Sequence, residues 1–244
     1  MEEYTRRLIH VPIIHSPADM GSMGAELAAA CIERLGRRHW DDYVAMLATF
    51  WQSVRAGLDG LGLDYGRVDL YQDGLPVCGK ELEIVKAAAA KGSENYQLIL
   101  DLVSRGATLM GTEDPKLLLE EHRNVQAALA SRPTNGECGM RNAEKEGPFR
   151  IPHSQFTIRQ LMAERDAYLG RRIHESLRPG RTGILFLGLM HNVESYLAED
   201  IVVTRLDHPG ATKARRHEGT KGIESRPIGN RKSAIPRKEH RHGN

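Results

Sequence analysis

Cysteine is scarce in this 244-residue sequence, and long hydrophobic runs are absent. The three cysteines, Cys31, Cys78 and Cys138, lie far apart and are odd in number, which excludes a disulfide framework and a zinc knuckle. No apolar run reaches the roughly 18 residues that a membrane-spanning helix requires. The first ten residues, MEEYTRRLIH, also lack the pattern of a secretory signal. These absences predict a cytoplasmic protein without a membrane partner.

A glycine-rich phosphate-binding motif is missing as well. Neither GxGxxG nor a P-loop follows the first apolar segment, and GSMG at 21–24 is too short to replace either fingerprint. This counts against a Rossmann-type nucleotide binder.

Charge is distributed unevenly, although the net charge is only +2. From Asp207 onward the sequence contains ten Lys or Arg and four Asp or Glu, whereas the preceding part contains 24 basic and 28 acidic residues. The last segment has few apolar residues and cannot offset the entropy of ordering itself. We therefore predict one domain over residues 1–206 and a basic, disordered tail over 207–244. Without interleaved aromatic residues, this tail should have at most weak affinity for nucleic acid.

Predicted strands and predicted helices alternate along the domain. Buried strands are predicted at 7–15, 68–71, 107–110, 183–191 and 201–205. Helices are predicted at 23–35, 41–61, 81–90, 94–104, 115–130 and 155–177, and residues 131–153 are predicted to be a loop, either a lid or a disordered insert. Pro12 indicates an edge position or a strand end. The alternation predicts an α/β fold with a largely parallel central sheet of four to five strands and helices on both faces.

Polar side chains follow four of the predicted strands. They are His15 and Asp19 after the first strand, Asp73 after the second, Glu113 after the third and His191 after the fourth. Ligands of parallel sheets bind beyond the carboxyl ends of the strands, so we expect these side chains at one rim. Imidazole and carboxylate together suit a divalent transition metal such as Zn, Mn, Co or Fe, which could activate a bound water. Without a metal, they could share general acid–base work.

Each member of this set also has an ordinary structural interpretation. A histidine at a strand end often bonds only a loop carbonyl. Asp19 could mark a helix start, Asp73 before Gly74 fits a turn, and Glu113 could be an acid favoured by the dipole of the following helix. The metal hypothesis therefore depends on the set meeting at one rim.

The long helix predicted over 155–177 has an arginine on its apolar stripe, since Arg165 lies between Leu161 and Leu169 on that face. Burying an isolated charge is costly, so Arg165 should pair with a carboxylate or a bound anion. One interpretation is an ion pair that ties the helix to the sheet. The other is that Arg165 orients the rim carboxylates or binds substrate, while Glu164 serves as general base or as an orienting residue.

Two motifs late in the sequence have a family counterpart. FLGLMHNVESYL contains Gly188 and His191, and the helix before it reads MAERDAYLGRRI, with Glu164 and Arg165. This order resembles the TraB/PrgY, TIKI and ChaN-like proteins of the erythromycin esterase/ChaN-like superfamily. That group shares an α/β fold with a Glu-Arg pair on the helix before a late strand and a Gly-x-x-His motif after it.

The resemblance extends to the first half of the chain. The group has a histidine motif after the first strand, matched by His15 in IIHSPADMGSM, and an acidic residue after the second, matched by Asp73 in YQDGL. This sequence departs from the group at Pro12, where a glycine is expected. The group includes metal-dependent peptidases, haem-binding proteins and members of unknown activity, so the resemblance implies a fold more than a reaction.

Two functions follow as expectations. The first is a metal-dependent hydrolase that acts on a small molecule or a peptide, with a metal held by the two histidines and by nearby carboxylates. The second is a non-catalytic module that binds or senses a small molecule through the same rim. The sequence leaves a homodimer open.

Overall fold

The fold is a five-stranded parallel sheet, in a computed structural model that describes residues 5–21, 24–130 and 153–206. Along the chain the strands are β1 (Arg6–Ile13), β2 (Val68–Gln72), β3 (Thr108–Met110), β4 (Thr182–Gly188) and β5 (Ile201–Arg205). Their spatial order is β3-β2-β4-β1-β5, and every neighbouring pair is parallel. The predicted α/β fold is therefore confirmed.

The described residues contain six α-helices. They are α1 (Gly24–Leu35), α2 (Arg37–Asp59), α3 (Glu81–Ala90), α4 (Glu94–Ser104), α5 (Pro115–Ala130) and α6 (His153–Ser176). A short 3-10 helix spans Val193–Tyr196 after β4. Local signals explain where some of these helices begin. Ser93 caps α4 by accepting a hydrogen bond from the backbone N–H of Tyr96, and α5 begins at Pro115, whose missing N–H is not needed at a first helical position.

Helices cover both faces of the sheet, as the alternating pattern predicts. On one face, Phe50, Val54 and Leu58 of α2 belong to the same buried cluster as Ile9 of β1 and Phe186 of β4. Side chains of α3 and α4 complete this layer. The spacing of three and four residues along α2 keeps its apolar side chains on the face that meets the sheet.

The long helix α6 covers the opposite face. Leu169 and Ile173 of α6 form a second buried cluster with Leu8 of β1 and Leu185 of β4. Helix α5 is in contact with α6. Alternate residues of one strand therefore enter different layers, because successive side chains of a strand point to opposite faces.

Pro12 lies in a central strand and not at an edge of the sheet, but it is the last residue but one of β1, which agrees with the predicted strand end. β1 lies between β4 and β5, but β5 pairs with it only as far as His10. The carbonyl of His10 accepts the N–H of Leu206, so the backbone groups of alternate residues face β5. The nitrogen of Pro12 points to this side, where β5 has already ended. No ladder hydrogen bond is lost there, which explains how a proline fits in the sheet.

The strand order brings distant parts of the chain to one edge. β2, β4 and β1 are adjacent in the middle of the sheet, and parallel strands end on the same side. The residues that follow them, Asp73, His191 and His15, are therefore neighbours. This is the position where parallel α/β folds hold their ligands.

Two predicted segments fall largely or wholly outside the described residues. They are the basic tail over 207–244 and the loop over 131–153, of which only His153 is described. Within the described ranges, no helix is long and apolar enough to cross a membrane.

Candidate functional site

Asp73 lies at the centre of the site, directly after β2, and its side chain is buried. The backbone N–H of Gly188 donates to its Oδ2 at 3.0 Å. The same oxygen lies 3.2 Å from Nε2 of His15 and 3.5 Å from Nε2 of His191. Two imidazoles from two strand ends therefore meet at one carboxylate oxygen.

The loop that carries His15 is held by two helices. The hydroxyl of Tyr43 on α2 donates to the backbone carbonyl of His15 at 2.9 Å. Asp19 accepts the backbone N–H of Ser16 through one oxygen and the hydroxyl of Ser93, the cap of α4, through the other. The side chain of His15 is 36% exposed, the most open of the three central groups.

His191 is buried and oriented by a carboxylate on α6. Its Nδ1 lies 2.6 Å from Oδ1 of Asp166, whose Oδ2 accepts the backbone N–H of Asn192 at 2.8 Å. This contact places a proton on Nδ1, because Asp166 can only accept. The other nitrogen, Nε2, then faces Asp73. A histidine held in this way by a carboxylate is typical of a metal ligand.

Arg165 connects three carboxylates behind the imidazoles. Its Nε and Nη2 donate to the two oxygens of Glu113 at 3.2 and 2.7 Å, and Nη2 also donates to Oδ1 of Asp73 at 2.9 Å. Its Nη1 donates to Glu121 of α5 at 2.8 Å. Burial raises the pKa of Glu113 despite the hydrogen bond from Arg165. The arginine on the apolar stripe is thus paired, as the cost of burying it requires.

Gly188 leaves the space in which these groups meet. A Cβ atom at this position would lie 3.0 Å from Oδ2 of Asp73 and 3.2 Å from Nε2 of His15. Contacts this short are crowded, so any larger residue would push the two side chains apart. Steric crowding therefore explains why the GxxH motif has a glycine at this position.

Charge is balanced locally by protonation. Burial would lower the pKa of His15, but the hydrogen bond to Asp73 and the charges of Asp73 and Asp19 raise it. Burial of His191 is likewise outweighed by the hydrogen bond to Asp166, and its pKa is raised. Burial would raise the pKa of Asp73, yet the hydrogen bond from His15 and the charge of His191 hold it well below its ordinary value. The site favours positive charge beside Asp73.

A cavity of about 290 Å³ opens beside His15 and Asp73. Helix α5 contributes one wall, with Leu118, Glu121, His122 and Val125, and the remaining wall residues are Asp19, Met20, Gly74, Tyr96 and Arg165. The mixture of apolar side chains with a few converging polar groups is typical of a small-molecule site.

The structure brings together most of the predicted site residues. His15, Asp73, Glu113, Arg165 and His191 form one connected cluster. Asp19 lines the adjoining cavity, but its two oxygens are engaged by the loop and by α4.

Glu164 lies outside this cluster. Its side chain is exposed and accepts a hydrogen bond from Gln160, one turn earlier on α6. One residue along a helix rotates a side chain by about 100 degrees, and Arg165 already faces the sheet. The general-base role predicted for Glu164 therefore has no support from its position. Asp166, which was not among the predicted site residues, orients His191 instead.

Comparisons with known proteins do not assign this chain to a family. A scan against family models, a search of curated proteins and a search of solved structures each found no match. Among the described residues, no group of three or more His, Cys, Asp or Glu is arranged as a ready metal site.

Proposed function

We propose that this chain is a metal-assisted hydrolase in which His15, His191 and Asp73 hold a divalent transition metal such as Zn, Mn, Co or Fe. One observation carries the proposal: two imidazole nitrogens from different strands approach the same carboxylate oxygen, at 3.2 and 3.5 Å. Two nitrogens and one oxygen are the donor set of many catalytic transition-metal sites.

The protonation of His191 supports a cation at this point. With its proton on Nδ1, a neutral His191 directs the lone pair of Nε2 toward Asp73 Oδ2. Two lone pairs that face each other repel, so either a proton or a metal ion is needed between them. The hydrogen bond to Asp166 and the negative charge of Asp73 both raise the pKa of His191, which favours a positive charge at this position.

The distances also suit neighbouring ligands. Metal–ligand bonds of about 2.0–2.1 Å separate adjacent donor atoms by about 2.9–3.4 Å, depending on the coordination geometry. The separation of 3.2 Å lies within this range, and the separation of 3.5 Å lies just above it. Asp73 Oδ2 accepts the backbone N–H of Gly188 and lies within hydrogen-bond distance of His15, so a bound metal would take the place of the proton between Asp73 and His15. His15 is partly exposed, which would allow it to exchange this proton for a metal.

Each surrounding residue would have a defined part in such a site. A bound transition metal lowers the pKa of a coordinated water and thereby supplies a nucleophile at neutral pH. Asp166 keeps His191 in the tautomer that can bind a cation. Arg165 and Glu113 hold Asp73 in place from behind, and Gly188 keeps the meeting point open. The cavity beside His15 would admit a small molecule or a side chain of a peptide.

Metal content tests the ligand assignment. Metals would be measured by mass spectrometry in the purified wild type and in the variants His15→Ala and His191→Ala. His39→Ala is the matched control, since His39 is exposed on α2. We expect one metal per chain in the wild type and in the control, and loss in both site variants. Unchanged metal content in both site variants would show that the assignment is wrong.

Turnover distinguishes the hydrolase from the non-catalytic alternative. A panel of esters, amides and phosphate esters would be screened with the metal-loaded protein. A ligand that raises the melting temperature without being hydrolysed would favour a binding module instead.

A further inference from the structure

The cavity beside the proposed metal site has a wall that is rich in negative charge. Asp19, Asp73 and Glu121 all line it, and the permanent positive charge among the lining residues is the guanidinium of Arg165. Each nitrogen of this guanidinium already donates to a carboxylate, namely that of Glu113, Asp73 or Glu121. An anionic ligand would therefore meet carboxylates, with little of the guanidinium free to receive it.

The carboxylates outnumber the positive charges even when the proposed metal site is occupied. Behind the wall, Glu113 is bonded to Arg165 and Asp166 to His191, which brings the carboxylates around the cavity to five. Arg165 supplies one positive charge, and a divalent metal or two protonated imidazoles would supply two more. Even a neutral Glu113 would leave negative charge in excess. The charge balance of the cavity therefore favours a cation.

Neighbouring titratable groups respond to this negative charge. Burial would lower the pKa of His15, but its hydrogen bond to Asp73 and the charges of Asp73 and Asp19 raise it. Burial raises the pKa of Tyr96 in the same wall, and the charges of Asp19 and Asp73 raise it further. A nearby carboxylate stabilises a cation and destabilises a second anion, which explains both directions. A positive charge on a ligand would be stabilised in the same way.

Glu121 is the carboxylate of the wall that is most available to a ligand. Both oxygens of Asp19 accept hydrogen bonds from the His15 loop and from α4, and Asp73 is buried. The side chain of Glu121 is 37% exposed, and within the described part of the chain only its Oε1 accepts a hydrogen bond, from Arg165 at 2.8 Å. Its second oxygen can therefore receive an N–H donor of a ligand.

The same face of α5 supplies apolar contacts on both sides of Glu121. Leu118 lies one turn before it and Val125 one turn after it, and all three line the cavity. This follows from their spacing, since residues three or four positions apart share one face of a helix. Met20 adds an apolar side chain from the loop after β1. A hydrated metal ion would gain nothing from these side chains, whereas the body of an organic cation would bury apolar surface against them.

We propose that the cavity binds a small organic cation, whose ammonium group pairs with Glu121 and whose apolar body packs against Leu118 and Val125. As a statement about substrate class, this inference rests on the proposed function, because the cavity adjoins the proposed metal site. A charge pair in this half-buried position is stronger than one in bulk water and is weakened by salt. The substrates that we expect therefore have an ammonium group and a short apolar body.

Three probes of similar size and different charge test this preference, namely benzylamine as its ammonium ion, benzyl alcohol and benzoate. Their dissociation constants would be measured near neutral pH by calorimetry with the purified full chain. The measurement is repeated with a chelator present, because benzoate can coordinate a metal. We expect the ammonium ion to bind with a dissociation constant on the order of 1 mM and about tenfold more tightly than the alcohol. Benzoate should bind least to the metal-free protein.

Three results would overturn the inference. They are equal affinities for the ammonium ion and the alcohol, a preference of the metal-free protein for benzoate, and no binding of the ammonium ion. A matching test is the effect of salt, since added sodium chloride should weaken binding of the ammonium ion and leave binding of the alcohol unchanged.

Glu121→Gln tests where the charge is recognised. It should weaken binding of the ammonium ion about tenfold and leave binding of benzyl alcohol unchanged. Glu120→Gln is the matched control, because Glu120 is the preceding residue of α5, is exposed and does not line the cavity. Glu121→Asp keeps the charge and should keep the preference for the cation. A preference that survives Glu121→Gln would overturn the role of Glu121.

The wild-type preference among the three probes decides the case in which Glu121→Gln does not fold. Binding of the ammonium ion to the chelated protein needs no metal, so the cation site and the hydrolase can fail separately. The hydrolase fails if the metal content survives both histidine substitutions, whereas the cation site fails if the charge of the probe has no effect.

Discussion

At the scale of single residues, Arg165 supplies the positive charge that compensates the buried carboxylates of the site. The residue is only 4% exposed, and its guanidinium pairs with Glu113 and Asp73, which are also buried. A buried ion pair contributes little net stability against apolar replacements, but removal of one partner leaves the other charges without compensation. Loss of Arg165 should therefore lower the stability of the whole domain.

Arg165→Met should lower the free energy of unfolding by about 3–5 kcal/mol, because two buried carboxylates lose their counter-charge. Urea denaturation measures this change. Arg37→Met is the control, since Arg37 makes an exposed pair with Asp41 and should change stability by less than about 0.5 kcal/mol. Equal losses in the two variants would contradict the central place of Arg165.

Asp166 and Glu164 offer a comparison between near neighbours on one helix. Asp166→Asn should weaken metal binding by about 10- to 100-fold, as the loss of an outer-shell carboxylate does, because the orientation and basicity of His191 change. Competition with a chromogenic chelator would measure the affinity. Glu164→Gln should leave it unchanged, since Glu164 is exposed and bonded to Gln160. The reverse result would restore the role that the sequence suggested for Glu164.

At the scale of secondary-structure elements, the site depends on how closely α6 approaches the 3-10 helix. A Cβ atom on Gly170 of α6 would lie 2.6 Å from the carbonyl oxygen of Tyr196 and 2.7 Å from its Cβ. Such contacts require backbone movement. The close approach holds the end of this short helix against α6, while the two residues directly before it, His191 and Asn192, bond Asp166 of α6.

Gly170→Ala should therefore separate these two elements. We expect a loss of about 1–3 kcal/mol in the free energy of unfolding, as for an overpacked core, together with weaker metal binding. Gly60→Ala is the control, because a Cβ there meets its nearest neighbour at an ordinary 3.4 Å. If Gly170→Ala behaved like Gly60→Ala, the contact would not position His191.

Strands and helices were predictable because each depends on local periodicity. α3, α4 and α5 occupy the predicted ranges, and β5 matches in full. The rim residues were also predictable, since parallel strands end on one side of a sheet. The order β3-β2-β4-β1-β5 was not, because it depends on packing between residues far apart in the sequence.

The helix residues of the site were harder to predict than the strand ends. Arg165 was recognisable because a charge on an apolar stripe must be paired. Glu164 and Asp166 flank it symmetrically, and only the rotation of α6 against the sheet distinguishes them. The place of Tyr96 in the cavity wall could not be predicted, because an aromatic residue in a helix is usually part of the core.

At the scale of the whole molecule, the central charges couple stability to pH. The pKa values of His15 and His191 are raised above the ordinary 6.5, so their stabilising contribution is complete below that value and is lost as pH rises through the raised values. The pKa of Asp73 is lowered from 3.8, so its contribution is present above 3.8 and is lost as pH falls through the lower value. Both contributions to the free energy of unfolding are therefore complete between pH 3.8 and pH 6.5.

The metal-free protein should therefore lose stability as pH rises above 6.5 through the raised pKa values, because the two imidazolium groups lose their protons. Urea midpoints measured with a chelator present would show it. His191→Ala should flatten this slope. Metal affinity should change in the opposite direction and increase with pH, since the imidazoles must be deprotonated to bind. A metal-free stability that rises over the same interval would contradict both raised pKa values.

A chain that ends at Leu206 should be as stable as the full chain. Leu206 belongs to the buried cluster beneath α2, whereas the segment beyond it has the composition of a solvated tail. Thermal melting of the two forms should agree within about 2 degrees, which corresponds to less than about 1 kcal/mol for a domain of this size. A shorter chain that ends before Leu206 should melt lower, because a core side chain is removed.

The meeting of four strand ends at one rim has a consequence for synthesis on the ribosome. His15, Asp73 and Glu113 emerge early, but His191 comes almost at the end of the described domain. A nascent polypeptide that has not yet been extended past this residue lacks one imidazole and the strand that places it. The cluster of His15, Asp73, Glu113 and His191 can therefore assemble only after nearly the entire described domain has been synthesised.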